Sequence, residues 1–142
     1  MLIKEAMTPN PETLLSTTSV MDAAKRMKDL NVGVFPVQKE HAVVGLVTDR
    51  DIVIRSMAEE RDSRSTTVEE IMSAEPFTCN DTMDLEEAAR IMEDKQVRRL
   101  VVLDGEGKVV GMLSLGDMAT HFNASTIGKV LEQVSQPSEP AR

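Results

Sequence analysis

A hydroxyl followed three residues later by a carboxylate occurs twice behind a Gly-led apolar run. Thr48 precedes Asp51 in Gly45-Leu46-Val47-Thr48-Asp49-Arg50-Asp51-Ile52, and Ser114 precedes Asp117 in Gly111-Met112-Leu113-Ser114-Leu115-Gly116-Asp117-Met118. The pattern predicts a short buried strand running straight into a helix, with the hydroxyl at the junction. There it accepts from the amides of the first helical turn, and those same amides are a ready site for phosphate. The carboxylate in that turn complements the helix dipole, or accepts from both hydroxyls of a sugar cis-diol. A single copy is explained by capping alone. Two copies behind the same kind of strand make capping an incomplete account, and both readings stay open because they use one geometry.

Two further groups bear on an anion. Arg50 lies inside the first motif where the second has Gly116, and Arg98-Arg99 stand where the first half has Gly33-Val34. A guanidinium fork suits phosphate oxygens; the alternative is a solvated strand edge with a surface ion pair. His41, His121 and Cys79 are too dispersed to form a metal set. Nucleophile–base motif, phosphate loop and paired-carboxylate signature are all missing, so no enzyme is expected. Met27, Met57, Met92, Met112 and Met118 fall on apolar faces and read as adaptable core.

The elements that position these residues are duplicated. Met7-Thr8 returns as Met72-Ser73 and Pro11 as Pro76, an offset of 65 (72 − 7, 76 − 11) that also carries Ala23-Ala24 onto Ala88-Ala89. The offset becomes 66 (111 − 45) after a one-residue insertion near Asp104-Gly105-Glu106-Gly107. Each copy predicts a short strand (residues 12–15, 77–80), then a helix with Ser19 or Asp84 as N-cap and apolar residues at helical spacing. Two apolar strands follow (34–38 with 43–48, 99–103 with 109–114), then the helix behind the hydroxyl (from 49 to about 57, from 115 to about 122). Residues 58–67 read as a charged surface linker and 68–72 as a short helix. Ile127, Val130, Leu131 and Val134 predict a further amphipathic helix whose stripe must pack on the body or on a partner. Residues 136–142 should fray. The domains expected are 1–67, 68–122 and a C-terminal helix with tail, 123–142.

At 142 residues, with 41% hydrophobic and 28% charged, the chain has enough material for a packed core. A net charge of −8 argues against general nucleic-acid binding, and three Phe with no Trp or Tyr give few platforms for base stacking. One cysteine permits no intrachain disulfide, and no apolar run approaches a membrane span. A cytoplasmic protein, without membrane attachment, is expected.

The repeated β-α-β-β-α unit with Gly-h-h-[Thr/Ser]-x-x-Asp closing each sheet resembles a tandem pair of CBS domains, a Bateman module. Met7-Thr8-Pro9 and Met72-Ser73 at the entrances support the resemblance, as do Val32-Gly33-Val34-Phe35-Pro36-Val37 and Val97-Arg98-Arg99-Leu100-Val101-Val102. The similarity covers roughly residues 4–122. It implies an α/β (α+β) fold of two units packed through their sheets with pseudo-two-fold symmetry, two symmetry-related clefts, and frequent dimerisation.

The resemblance also implies adenosyl ligands: AMP, ADP, ATP, S-adenosylmethionine or NAD, held as regulatory ligands rather than obligatory cofactors. Carried over by motif, Asp51 and Asp117 bind ribose while Thr48 and Ser114 help hold phosphate. Phe77 and Thr78 join the first cleft, Glu12 and Thr13 the second, and Val34 occupies the strand position equivalent to Arg99. The first cleft is expected to prefer phosphorylated ligands, because Arg50 is its own and Arg98 or Arg99 lies on the facing unit. The function implied is a homodimeric sensor that transmits ligand state to a regulated enzyme or transporter. The competing reading is an interaction module with vestigial clefts.

Overall fold

A computed structural model describes residues 1–137; residues 138–142, most of the segment expected to fray, lie outside the described residues. In chain order the elements are α1 (Ile3–Ala6), β1 (Thr8–Pro9), β2 (Leu14–Leu15), α2 (Val20–Leu30), β3 (Val34–Lys39), β4 (Ala42–Thr48) and α3 (Asp49–Asp51). A π-helix, Ile52–Met57, continues α3. Then come α4 (Val68–Ile71), β5 (Ser73–Ala74), β6 (Thr78–Asn80), α5 (Leu85–Lys95), β7 (Arg99–Leu103), β8 (Val109–Ser114), α6 (Leu115–Ala119) and α7 (Ala124–Val134). Among the described residues no helix is long and apolar enough to cross a membrane.

Packing divides the chain into two compact units, each with its own four-stranded sheet. The contiguous unit is Pro11–Pro76, and the composite unit joins Met1–Asn10 to the chain from Phe77 onward. In the contiguous unit the strand order is β2-β3-β4-β5, with β2 parallel to β3 and the other pairs antiparallel. The composite unit repeats this as β6-β7-β8-β1. The edge strand of each sheet is thus an entrance segment of the other sequence repeat. Pro9 is tolerated in β1 because an edge strand can lack one N–H.

The cores follow the sequence pattern. In β4 and β8 alternate residues face inward, Gly45 with Val47 and Gly111 with Leu113. Val20, Ala23 and Met27 bury one stripe of α2, and Leu85, Ala88, Ala89 and Met92 bury that of α5. Phe35, Leu14 and Ile71 complete the first core; Ile3, Leu100 and Met118 complete the second.

The entrance segments also cap the helices. Leu85 N–H donates to Met1 O at 2.9 Å, and Val20 N–H donates to Thr66 O at 2.9 Å. Ser19 acts as the expected N-cap, its hydroxyl accepting from Asp22 N–H at 3.1 Å. Asp84 does not: its side chain makes no capping bond, although the backbone around both caps is the same, Leu2 bridging Asp84 as Thr67 bridges Ser19. Residues 58–67 are likewise tied down, with Met21 N–H donating to Ser63 O at 2.9 Å. The stripe on α7 packs on its own unit: Val130 and Val134 join the core and Ile127 packs against it, while Leu131 stays 45% exposed. Large apolar side chains are instead exposed on the π-helix, at Val53, Ile54 and Met57.

Candidate functional site

Both hydroxyl–carboxylate pairs stand at strand-to-helix junctions and cap reciprocally. Thr48 Oγ1 accepts from Asp51 N–H at 3.1 Å, and Asp51 Oδ2 accepts from Thr48 N–H at 2.9 Å. Ser114 Oγ accepts from Asp117 N–H at 3.0 Å, and Asp117 Oδ2 accepts from Ser114 N–H at 3.0 Å. The helix therefore fixes each carboxylate by one oxygen. The second oxygen of Asp51 has only Arg55 Nε at 3.8 Å, and the second carboxylate oxygen of Asp117 has no hydrogen-bond partner among the described residues. An ionised carboxylate held this way retains acceptor capacity for a further donor.

In the contiguous unit Val34 is the register partner of Thr48. Asp49 N–H donates to Gly33 O at 3.0 Å, and Asp49 Oδ2 lies 3.0 Å from where a Cβ on Gly33 would stand. A carboxylate therefore covers the position at which the other repeat carries Arg98. Arg50 is exposed beside it. Glu12 is engaged elsewhere, paired with Arg26 at 2.6 Å, and the same guanidinium reaches Thr13 O at 3.3 Å and sits 5.5 Å over the Phe35 ring.

The composite unit arranges the equivalent residues differently. Arg99 is the register partner of Ser114, and Leu115 N–H donates to Arg98 O at 2.9 Å. Arg98, Arg99, Ser114, Leu115, Gly116 and Ala119 form one wall of a groove of about 470 Å³, and Ile127, Gly128 and Leu131 of α7 form the other. This wall carries two guanidinia and no carboxylate, because Leu115 replaces Asp49 and Gly116 replaces Arg50. Thr78 pairs with Val101 in the sheet. Phe77 is 41% exposed, with Lys95 Nζ 5.7 Å from its ring centroid.

Cys79 lies in the composite core, where burial pushes its thiol up to about 12. His41 and His121 are both exposed, and no cluster of potential metal ligands occurs among the described residues. Sequence reasoning missed Asp49 and the wall supplied by α7. The first was hidden inside the motif as a variable position; the second had one signal, Gly128 interrupting an amphipathic stripe.

The sequence matches the CBS domain over residues 3–57 and again over residues 68–124. The chain belongs to the CBS-domain family. It is 37% identical over 134 residues to the CBS domain-containing protein YhcV of Bacillus subtilis, a match covering 94% of both chains. Among solved structures it resembles the CBS domain pair of protein MJ0100 in complex with 5-methylthioadenosine and S-adenosyl-L-methionine, at a TM-score of 0.74 and 28% identity over 87% of this chain and 100% of that one. It also resembles CBSX2 in complex with AMP, at a TM-score of 0.69 and 28% identity over 89% of this chain and 98% of that one. The fold of this CBS pair, α/β with two four-stranded sheets, is the one the motifs implied.

Proposed function

We propose that this CBS pair is a regulatory module that binds adenosyl ligands and passes their presence to a partner protein. The observation that carries the reading is the pair of junctions, each presenting a carboxylate anchored by one oxygen beside a hydroxyl-capped helix start. Complexes of relatives with AMP and with S-adenosylmethionine support the ligand class. In this reading Asp51 and Asp117 accept from ribose hydroxyls, and Thr48 and Ser114 orient the helix starts toward phosphate. Val34, Glu12, Thr13, Phe77 and Thr78 shape the adenosine surroundings, while Arg50, Arg98 and Arg99 supply positive charge. The ligand is a regulator, and the module performs no catalysis.

The phosphate preference belongs to the Ser114 side. Arg98 and Arg99, expected from the sequence to serve the cleft of Thr48 and Asp51 together with Arg50, line the groove of Ser114, and Asp49 adds a repelling charge beside Gly33. AMP, ADP and ATP should therefore compete for the Ser114 site, with affinity falling as salt rises.

The experiment is calorimetric titration of the parent with AMP, ADP, ATP, NAD, S-adenosylmethionine and adenosine, followed by Asp51→Asn and Asp117→Asn. Asparagine keeps the cap acceptor and removes the charge. Loss of a charged acceptor to ribose should weaken binding by about ten- to a hundredfold. Unchanged affinity in both variants would reduce the motif to a cap and favour an interaction module with empty clefts. A homodimer is the assembly proposed, joined through the exposed apolar residues Val53, Ile54 and Met57 rather than through α7. Sedimentation of a monomer alone at micromolar concentration would refute it.

A further inference from the structure

The C-terminal turn of α7 is held by the strand that carries the arginines. Arg98 Nη2 donates to Ser135 Oγ at 3.1 Å, and Gln96 Nε2 donates to Gln133 O at 3.4 Å and to Gln136 O at 3.1 Å. Ser135 is the C-cap of α7, so these contacts close the end of that helix. Gln96, in turn, is the left-handed C-cap of α5, with φ of 53°. Two residues of one short turn, Gln96 and Arg98, thus tie off α7 at the point where β7 begins. Of the equivalent residues in the contiguous unit, Asn31 has a carboxamide one methylene shorter and Gly33 has no side chain, so the guanidinium has no counterpart there.

The same Arg98 lines the groove, and α7 is the groove's opposite wall. Its guanidinium is therefore shared between two claims. One is a neutral hydroxyl at the end of α7. The other is any anion entering beside Ser114 and Arg99. A guanidinium–phosphate hydrogen bond is charge-assisted and roughly twice as strong as one to a neutral acceptor. We infer that Arg98 is a latch: a phosphate-bearing ligand in the groove draws its guanidinium away from Ser135 and loosens the last turn of α7. This rests on the proposed ligand class and adds how occupancy of that site is read out. The two claims on Arg98 give the differential interaction that a ligand needs to shift one arrangement toward the other.

The core of α7 is not what moves. Val130 and Val134 are buried and stay with α5. The change is confined to the polar contacts of residues 133, 135 and 136 with the turn at 96–98, beyond the buried Val134.

The test pairs amide hydrogen exchange with titration of the full chain. ATP should speed exchange at residues 133–136, and adenosine should bind without doing so. Ser135→Ala breaks the latch outside the groove; it should raise exchange there without ligand, and raise ATP affinity about two- to tenfold, the worth of one released hydrogen bond. Gln96→Ala should raise exchange in the same turn without altering the phosphate dependence. ATP binding with unchanged exchange at 133–136, and Ser135→Ala binding as the parent does, would overturn the latch and leave the ligand reading standing. Should no adenosyl compound bind, inorganic triphosphate decides: faster exchange in the parent that Arg98→Gln abolishes supports the latch, and no response ends it.

Discussion

Ser73 O lies 2.6 Å from the point where a Cβ on Gly45 would stand. The edge strand β5 approaches β4 so closely that the motif glycine has no room for a side chain, and the Met72 thioether crowds the same point. The glycine leading each hydroxyl motif is thus explained by the arriving entrance segment, independently of any ligand.

Gly45→Ala should destabilise the protein by about 1–3 kcal/mol, as overpacking against backbone does. Gly111→Ala meets chiefly the flexible Met7 side chain, with Thr8 O farther off at 3.1 Å, and should cost less. Gly105→Ala has nothing within 4 Å and serves as the neutral control. Chemical denaturation of the three variants gives the order.

Ser114→Ala and Thr48→Ala each remove a hydroxyl that accepts from a helix amide, and each should cost about 1 kcal/mol. Asp84→Ala, where the side chain makes no capping bond, should cost less than Ser19→Ala at its counterpart, where it makes one. Equal losses at Asp84 and Ser19 would show that the Asp84 carboxylate stabilises its helix start without a capping hydrogen bond.

Cys79 should be unreactive toward a thiol reagent at pH 8 in the native protein. Its thiol is pushed up to about 12 by burial, so almost none is thiolate, and the reactive species is the thiolate. Reagent consumption should appear only in denaturant, at the rate of unfolding.

Acid should weaken the fold through two carboxylates. Glu70 is held below its ordinary 4.5 first by the Thr67 N–H. Asp104 is held below its ordinary 3.8 by the amides of Lys108 and Glu106. Each binds a proton more readily when unfolded, so its contribution is complete above the ordinary value and is lost as pH falls through the lowered native one. Stability should therefore decline below about pH 4.5, and Glu70→Gln should flatten the upper part of that slope.

The strongly patterned elements were legible in the sequence. The strands Arg99–Leu103 and Val109–Ser114 have the bounds their apolar runs predict, and α2 and α5 follow their apolar stripes. The two-residue strands Thr8–Pro9 and Ser73–Ala74 were not legible, because two residues have no period and their pairing is set by a distant partner. The sequence does not distinguish the π-helix after Asp51 from plain helix, since apolar spacing over one turn does not separate the two. At the site, the hydroxyl–carboxylate geometry was readable because capping is local. The partners of Arg98 were not, since Ser135 lies 37 residues away on a helix whose docking face only the core decides.

The exchange of entrance segments gives the chain a nested order that matters while it is being made. Pro11–Pro76 contains every strand of its own sheet, so it can complete a core before residue 77 is synthesised. Thr8 must wait for Met112, its register partner, which arrives about 5–20 s later at usual elongation rates. Until Ser73 and Ala74 are made, the place beside β4 that they later fill is vacant. Met7-Thr8, already made by then, carries the same Met–hydroxyl pair as Met72-Ser73. Nascent-chain folding is thus a choice between two near-identical keys for one lock, with the correct key arriving second.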